Sequence, residues 1–589
     1  MDTITAPIPG VTATRDGRTI ALSGATYPVR DRIKAAGFRW HPATKTWRGG
    51  QVSLERLAGQ ITPTTAAPVP AGQFPPTPEQ TAILAAVSTG RAVVVEALAG
   101  TGKTSTLELI ARAHPAKRIL LVVFNKSMQT EAQARMPRNV EARTFDSLGF
   151  AGAPAEAVVK FRAQRDAKGA GGPIRKLTDV VRHLGLDKAP TRYVATVTSE
   201  TGGVVVTRRE TQVIQPVRAA SAALRTVEAW CTSADAQITA AHVPAEVADE
   251  DDDHAAAAAA IVPIAVRAWA DLTSAQGQLR ITNGHLTKMW AMTRPDLTQP
   301  GSGARMAPDM ILVDEAQDTA PVCEAVMRAQ TVQTVWVGDT WQSIYAWRGA
   351  VNALTNVEPD DAKRLPLTKS WRFGPEVAGA GNAFLGRLGS RWTVDGGGKP
   401  GTVLGAGSMT DPDAVLCRTN AGMIGEVLAL LEGGRKAAVT PGTRQDLALL
   451  AGTVRWLMGG LPPARLHDDL AAFGSWREVE VAVESGVADQ KVEMLHKLVT
   501  EQTIDVIERV VGEMLEIGQA GARDAVVVIT AHKSKGLQWP RVKIGGDFPQ
   551  PRRRGESVVE PGREEQKLGY VAVTRAQLAL DPGSLSWAL

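Results

Sequence analysis

The sequence predicts an α/β protein with parallel sheets, organised as two units that are each interrupted by an insertion. Three observations carry the prediction. Apolar runs alternate with helical stretches, "RAVVVEA" before "KTSTLELIARAH" and "RILLVVF" before "SMQTEAQARM", an alternation that marks a parallel sheet with crossover helices. Between the first strand and its helix stands "ALAGTGKT", Ala97 to Thr104, which ends as a phosphate-binding loop ends. The run "MILVDEA" places Asp314 and Glu315 at the carboxyl tip of a buried strand, the edge where parallel sheets bind ligands.

At 589 residues the chain exceeds one hydrophobic core, and domains of about 150 residues imply roughly three to five of them. Hydrophobic content of 44% and charged content of 22% are ordinary for a globular protein. A net charge of +5 and a pI near 9.0 suit a polyanionic partner, weakly for so large a surface. Cys231, Cys323 and Cys417 are widely spaced, which supports neither a disulfide framework nor a zinc site and favours a reducing interior. The start, "MDTITAPIPG", lacks a basic-then-apolar leader. The most apolar run, Ala255 to Val266, contains Pro263 and stops at Arg267, short of the ~20 residues a membrane span needs. The expectation is a soluble, cytoplasmic chain with no membrane partner.

In chain order, residues 1–60 read as a small α+β module and the Thr-, Pro- and Ala-rich residues 61–77 as a linker. A first core is expected at 78–150 and 266–355, split by an insertion at 151–265 where the rhythm fades into basic helical stretches such as "KFRAQRDAKGAGGPIRK". Within it, the acidic run from Asp249 reads as a solvated loop entering a helix. A second core is expected at 356–435 and 522–589, with "AVLCRTNA" and "AVVVITAH" as strands, interrupted by a helical insertion at 436–521.

In a phosphate-binding loop, backbone amides converge on the phosphates, a lysine reaches the β and γ phosphates, and a Ser or Thr hydroxyl helps hold Mg²⁺. Ala99, Gly100, Thr101, Gly102, Lys103, Thr104 and Ser105 occupy that loop. Asp314 is expected to share Mg²⁺ with Thr104, and Glu315 to orient or deprotonate the attacking water, a division suited to phosphoryl transfer to water. ATP and Mg²⁺ are the cofactors expected.

Ala97 stands where the general loop pattern has its first glycine, and alanine there is normal in one helicase branch. From about residue 70 onward the chain resembles UvrD/Rep-type superfamily 1 helicases. "FPPTPEQTAIL" is similar to the Q motif, "VVFNKSMQ" to motif Ia, "ARTFDSLGF" to Ib, "DEAQD" to II and "VGDTWQSIYAWRGA" to III. "LTKSWRFGPEVA" is similar to motif IV, "ITAHKSKGLQWP" to V and "EEQKLGYVAVTRA" to VI. "ITNGHLTKMW", "RGAVNAL", "SWRFGPEVA" and "GGDF" resemble the F-box DNA helicase group more closely, in its motor half only, since no F-box is visible.

The resemblance implies two RecA-like P-loop NTPase domains with mainly helical insertions and ATP in the cleft between them. Gln80 would read the adenine, Gln342 would sense the γ phosphate and Gln538 would accept from the ribose. Trp371 would stack on the adenine, although a core tryptophan fits the sequence as well. Arg372 and Arg575 would reach across from the second core, so that charge on the transferring phosphoryl group meets guanidinium donors only when the cleft closes. Phe124, Asn125, Thr144, Tyr345, Trp347, Thr530 and His532 would line single-stranded DNA, where each base stacked on an aromatic face contributes about 1–3 kcal/mol. The implied activity is an ATP-dependent 3′–5′ DNA helicase or translocase acting on single strands and single/double-strand junctions. A translocase that displaces proteins without unwinding, and a DNA-binding scaffold with a decayed ATPase, are the alternatives.

Three positions depart from the family pattern. Asp146 replaces a histidine in motif Ib, Gln538 a glutamate in motif V, and Gly569 a bulky residue in motif VI, where it is expected to loosen a helix. In the N-terminal module, Tyr27, Phe38, Trp40 and Trp47 interleave with Arg30, Arg32, Lys34, Arg39 and Lys45. That pattern suits a nucleic-acid surface, and it suits equally a small domain that needs its aromatics for a core.

Overall fold

The computed structural model describes residues 75–589 apart from 168–171, 202–203, 249–253, 346–348, 350–351, 357–361, 468, 472, 485–487, 489 and 555–556. Of the first 74 residues it describes 2–4, 11–16, 19–24, 33, 38–42 and 44–49. Tyr27, Arg30, Arg32, Lys34, Trp347, the acidic run at 249–253 and nearly all of the expected linker therefore lie outside the described residues.

Two all-parallel sheets organise the chain. The first has six strands in the order 362–367, 92–97, 333–338, 310–313, 119–123, 140–144. Its central strands are continuous apolar runs such as Val93–Val95, Leu120–Val122 and Ile311–Val313, as sheets covered by helices on both faces require. All six strands run parallel, so Ala97, Val123, Val313 and Gly338 all end at one edge, and Asp314, Asp339 and the phosphate loop start from it. The strand Ala362–Leu367 pairs with Ala92–Ala97. The first sheet thus continues past residue 355, beyond the expected boundary, because this late segment closes its open edge.

The second sheet has seven strands in the order 402–403, 576–581, 539–544, 414–417, 526–530, 437–439, 515–516. Its outer strands Ala437–Val439 and Leu515–Glu516 fall inside the segment expected to be inserted, which confines the helical part, among the described residues, to four helices between Thr443 and Glu513. One apolar cluster joins the two cores: Leu98, Ala99 and Ile344 from the first pack with Phe373, Phe384, Tyr570 and Val573 of the second.

The first insertion is not purely helical. Thr191–Thr201 and Val204–Ile214 form an antiparallel ribbon of two eleven-residue strands, and the Val and Thr content of both segments explains the strand choice. The apolar run expected to stop at Arg267 belongs to the helix His254–Thr273, which continues through Pro263 and past residue 265. Among the described residues it is the one helix long and apolar enough to cross a membrane; here Ala257, Ala258, Ile261, Ala265 and Ala268 are buried in a cluster with Val227 and Trp230 of the helix Pro216–Thr232. Lys288, in the quoted "GHLTKMW", donates to the carbonyls of Ser233 and Asp235 at 2.8 Å each and lies 4.2 Å from the Trp230 ring centroid. It satisfies the carbonyl of the cap residue and one in the turn after it, where that helix ends.

Gly569 does not loosen its helix. Arg563–Val573 is continuous, and a Cβ at Gly569 would lie 2.5 Å from Phe384 Cε1; the missing side chain is what lets Phe384 seat against the helix. At the N-terminus, five short antiparallel strands form a separate sheet in the order 2–4, 11–16, 19–24, 46–49, 39–41. Ala13, Ile20, Leu22, Ile33 and Phe38 are buried there, so Phe38 is a core residue.

Candidate active site between the two cores

The phosphate loop turns through Gly100 at φ 75° and Gly102 at φ 86° before the helix Lys103–Ala113. Gly100 is required for a second reason. A Cβ there would meet Ser370 Oγ at 2.5 Å and Arg372 Cβ at 2.7 Å, because Ser370–Arg372 lies directly on the loop, with the Trp371 amide bonded to the Gly100 carbonyl at 3.0 Å. Lys103 Nζ rests on the Ala97 carbonyl at 3.3 Å. Thr101 Oγ1 donates to Leu98 O at 2.8 Å, and Ser105 Oγ accepts from Arg135 at 3.0 Å, so the loop is braced from within its own core.

Asp314 and Glu315 follow their buried strand as expected, and Glu315 takes a left-handed backbone, φ 51° and ψ 44°. A non-glycine residue in that region costs of order 1 kcal/mol or more and persists only when its surroundings hold it. Here the Glu315 amide donates to Asp314 Oδ1 at 2.9 Å and its carboxylate accepts from Gln317. Burial, then the Glu315 charge, push the Asp314 carboxyl above its ordinary range; burial acts on Glu315 as well but is outweighed by Lys103 and Lys535, which hold it low. The Glu315 amide engages Asp314 Oδ1, while Thr104 supplies a hydroxyl next to Lys103. These are hard oxygen donors, the set Mg²⁺ favours.

From the second core, Arg372 and Arg575 both face this seam. Arg575 is 1% exposed. It donates to the Val571 and Leu537 carbonyls, and its Nη2 reaches across to Gln342 Oε1 at 3.1 Å. Gln342 Nε2 in turn donates to Asp339 Oδ2 at 2.6 Å. Arg372 donates to Gln538 Oε1 at 2.8 Å and to the Thr574 carbonyl at 2.9 Å. Burial, then the neighbouring Arg372 charge, lower Arg575 to about 9, and burial lowers Arg372 too. Two desolvated guanidiniums beside a pair of buried carboxylates are an arrangement that an incoming anion would stabilise.

Other expected residues have structural partners. Gln80 closes a capping box with Thr77 and donates to Thr106 Oγ1 at 3.1 Å. Trp371 is 55% exposed beside the loop, with Lys369 5.2 Å from its ring centroid, so it is a surface plate and not a core residue. Asn125 and Thr144 cap the helices Lys126–Arg135 and Phe145–Gly152. Together with Phe124, Arg143, Asp146 and Arg162 they line a cavity of about 1260 Å³ between the first core and its insertion. Phe124 stacks on Tyr345 with centroids 5.2 Å apart, and Tyr345 donates to the His532 carbonyl at 3.2 Å. Thr530 is buried at the end of its strand. Burial raises the Asp146 carboxyl. No group of three metal-ligating side chains exists among the described residues.

Two further side chains at the seam carry no distinguishing signal in the sequence although both stand in quoted motifs. Lys535 is bonded to Asp318 and to the Gln342 carbonyl and lies 3.6 Å from Glu315. Tyr570 bridges the phosphate loop and Asp339. "HKSKGL" contains two lysines with nothing in their spacing to rank them, and a lone tyrosine in a helix reads as core.

Paired parallel-sheet cores, a phosphate loop and strand-tip carboxylates on one, and arginines delivered by the other define a two-core P-loop NTPase. Comparison with known proteins narrows the class. Residues 304–363 match the UvrD/REP helicase N-terminal domain and residues 488–581 the UvrD-like helicase C-terminal domain, one match in each core. It is 28% identical over 533 residues to F-box DNA helicase 1 of Gallus gallus, covering 84% of this chain and 47% of the relative. It is 26% identical over 518 residues to F-box DNA helicase protein 1 of Schizosaccharomyces pombe, covering 83% and 55%. A shorter stretch of 102 residues is 37% identical to DNA helicase II of Escherichia coli, covering 15% and 14%. The chain spans about half the length of the two F-box relatives.

Proposed function

We propose that this protein is an ATP-dependent DNA helicase that moves 3′–5′ along single-stranded DNA and opens single/double-strand junctions. The observation that carries the proposal is the Arg575–Gln342 contact across the seam, which ties a guanidinium of one core to the motif beside the phosphate loop of the other. Lys103 neutralises the β and γ phosphates, and Glu315, held ionised by Lys103 and Lys535, orients or deprotonates the attacking water. Mg²⁺, held by Thr104 and Asp314, would supply charge neutralisation at the β and γ oxygens. Arg372 and Arg575 stabilise charge on the transferring group. Trp371 stacks on the adenine, with Gln80 reading its edge and Gln538 accepting from the ribose once Arg372 turns to phosphate.

Phe124, Tyr345 and His532 meet where the two cores join, so hydrolysis that shifts one core against the other moves the faces on which bases stack. Asn125, Thr144 and Thr530 complete the strand path, and Trp347 belongs to it by its motif alone. The test is ATP hydrolysis with and without single-stranded DNA, followed by unwinding of duplexes carrying 3′ or 5′ tails. DNA-stimulated hydrolysis and unwinding only from 3′ tails are expected, both abolished by Lys103→Ala. Hydrolysis without unwinding would instead favour a translocase that displaces bound proteins, and no hydrolysis would favour a scaffold.

A further inference from the structure

The N-terminal sheet carries surface residues that the two-core site does not use. Arg39–His41 is its edge strand, and strand alternation sorts the side chains around it. Leu22, buried, is paired with Trp47, and Trp47 with Trp40, which puts both tryptophans at the margin of the core face. They meet edge to face with centroids 5.5 Å apart, yet Trp40 remains 47% exposed.

The opposite face carries Thr12, Thr14, Ala21 and Ser23, small side chains that keep it flat, and then Arg48 and Arg39 directly across from each other. Both arginines are exposed, and neither meets a carboxylate among the described residues. Like charges directly opposed in a ladder destabilise it, so the pair calls for an anion from outside. Lys45 adds an exposed third cation at the turn, which His41, Thr44 and Thr46 pin through hydrogen bonds of 2.9 Å.

An aromatic plate on one side of an edge strand, two cations on the other and a third at the adjoining turn match a ligand with alternating flat apolar rings and negative charges. An acidic peptide would satisfy the cations but leave Trp40 without a partner. We propose that Trp40, Arg39, Arg48 and Lys45 form a second single-stranded DNA site, separate from the cleft between the cores, with a base stacked on Trp40 and phosphates on the arginines.

The test uses the full chain without nucleotide, so loss of ATP hydrolysis would leave the readout untouched. Binding of a labelled oligothymidine of about 40 nucleotides is followed by anisotropy between about 50 and 200 mM salt. Trp40→Ala and the double variant Arg39→Ala/Arg48→Ala should each weaken binding about tenfold. The double variant should also flatten the log–log salt slope by about 1.4, since each single-strand phosphate contact contributes about 0.7. Trp40→Phe and Arg39→Lys/Arg48→Lys should retain binding, which separates chemistry from misfolding. Unchanged affinity and slope in the double variant would overturn the proposal. So would equal competition by polyglutamate, which would mark a general anion surface.

Discussion

The hydroxyl of Tyr570, in the second core, accepts from the backbone amide of Ala99, in the phosphate loop of the first, at 3.0 Å. The same hydroxyl donates to Asp339 Oδ2 at 3.3 Å, and Asp339 holds Gln342, which meets Arg575. One buried chain of hydrogen bonds therefore links the loop, motif III and the arginine that crosses the seam.

Tyr570→Phe keeps the ring and its packing but leaves a buried amide without an acceptor and removes one of the donors to Asp339. A buried group stripped of its partner costs about 1–3 kcal/mol. Expressed at the closed cleft, that corresponds to a fall in kcat for ATP of about tenfold, with KM changed less than about threefold. Steady-state kinetics with saturating single-stranded DNA measure it; a KM effect alone would assign Tyr570 to ground-state nucleotide binding.

Lys535 is the buried cation nearest the carboxylates of motif II. Burial raises Asp318 to about 6 even with Lys535 opposing, and Asp318 Oδ1 has no hydrogen-bond partner. Lys535→Met would strand Asp318 as an uncompensated buried carboxylate and take one of two lysines from Glu315, a loss of roughly 3 kcal/mol. A fall in Tm together with loss of hydrolysis is expected. Lys535→Arg should keep part of the stability, because the charge remains while the reach differs.

Phe384 and Gly569 are coupled by contact. Gly569→Ala forces a methyl against the Phe384 ring and should cost about 1–3 kcal/mol, as overpacking does. Phe384→Leu in the same chain should relieve part of that cost, so the double variant is more stable than the sum of the singles. Chemical denaturation of the four proteins measures the interaction.

His285 closes the N-cap of Asn283–Met292, accepting the Thr282 amide on Nδ1 at 3.1 Å. Burial, then the charge on Lys160, lower it from 6.5 to about 4. The unfolded chain therefore binds the proton first, and stability, complete above pH ~6.5, falls as the pH drops towards ~4. The loss there is on the order of 3 kcal/mol. His285→Gln, which cannot take up a proton, should flatten the pH dependence of Tm over that window.

Legibility in sequence followed locality. Lys103, Thr104, Asp314 and Glu315 could be named because a loop that binds phosphate must follow a strand and open a helix, and a strand-tip carboxylate is recognised by the apolar run before it. The ribbon at 191–214 and the strand at 362–367 were missed. Their strand character depends on a partner to pair with, and period-two patterns in short segments do not announce one. The loosening expected at Gly569 failed for the same reason, since Phe384 is distant in sequence.

Short-range chemistry was written in the order of residues: the alternation of strands and helices, the phosphate loop, the carboxylate pair and the motif order that resembles UvrD/Rep-type helicases. Folding alone set the contacts that join residues hundreds of positions apart, Arg575 with Gln342, Tyr570 with Ala99 and Lys535 with Asp318. A hydrogen bond needs a particular distance and direction in space, and those are properties of two packed cores and not of any stretch of chain.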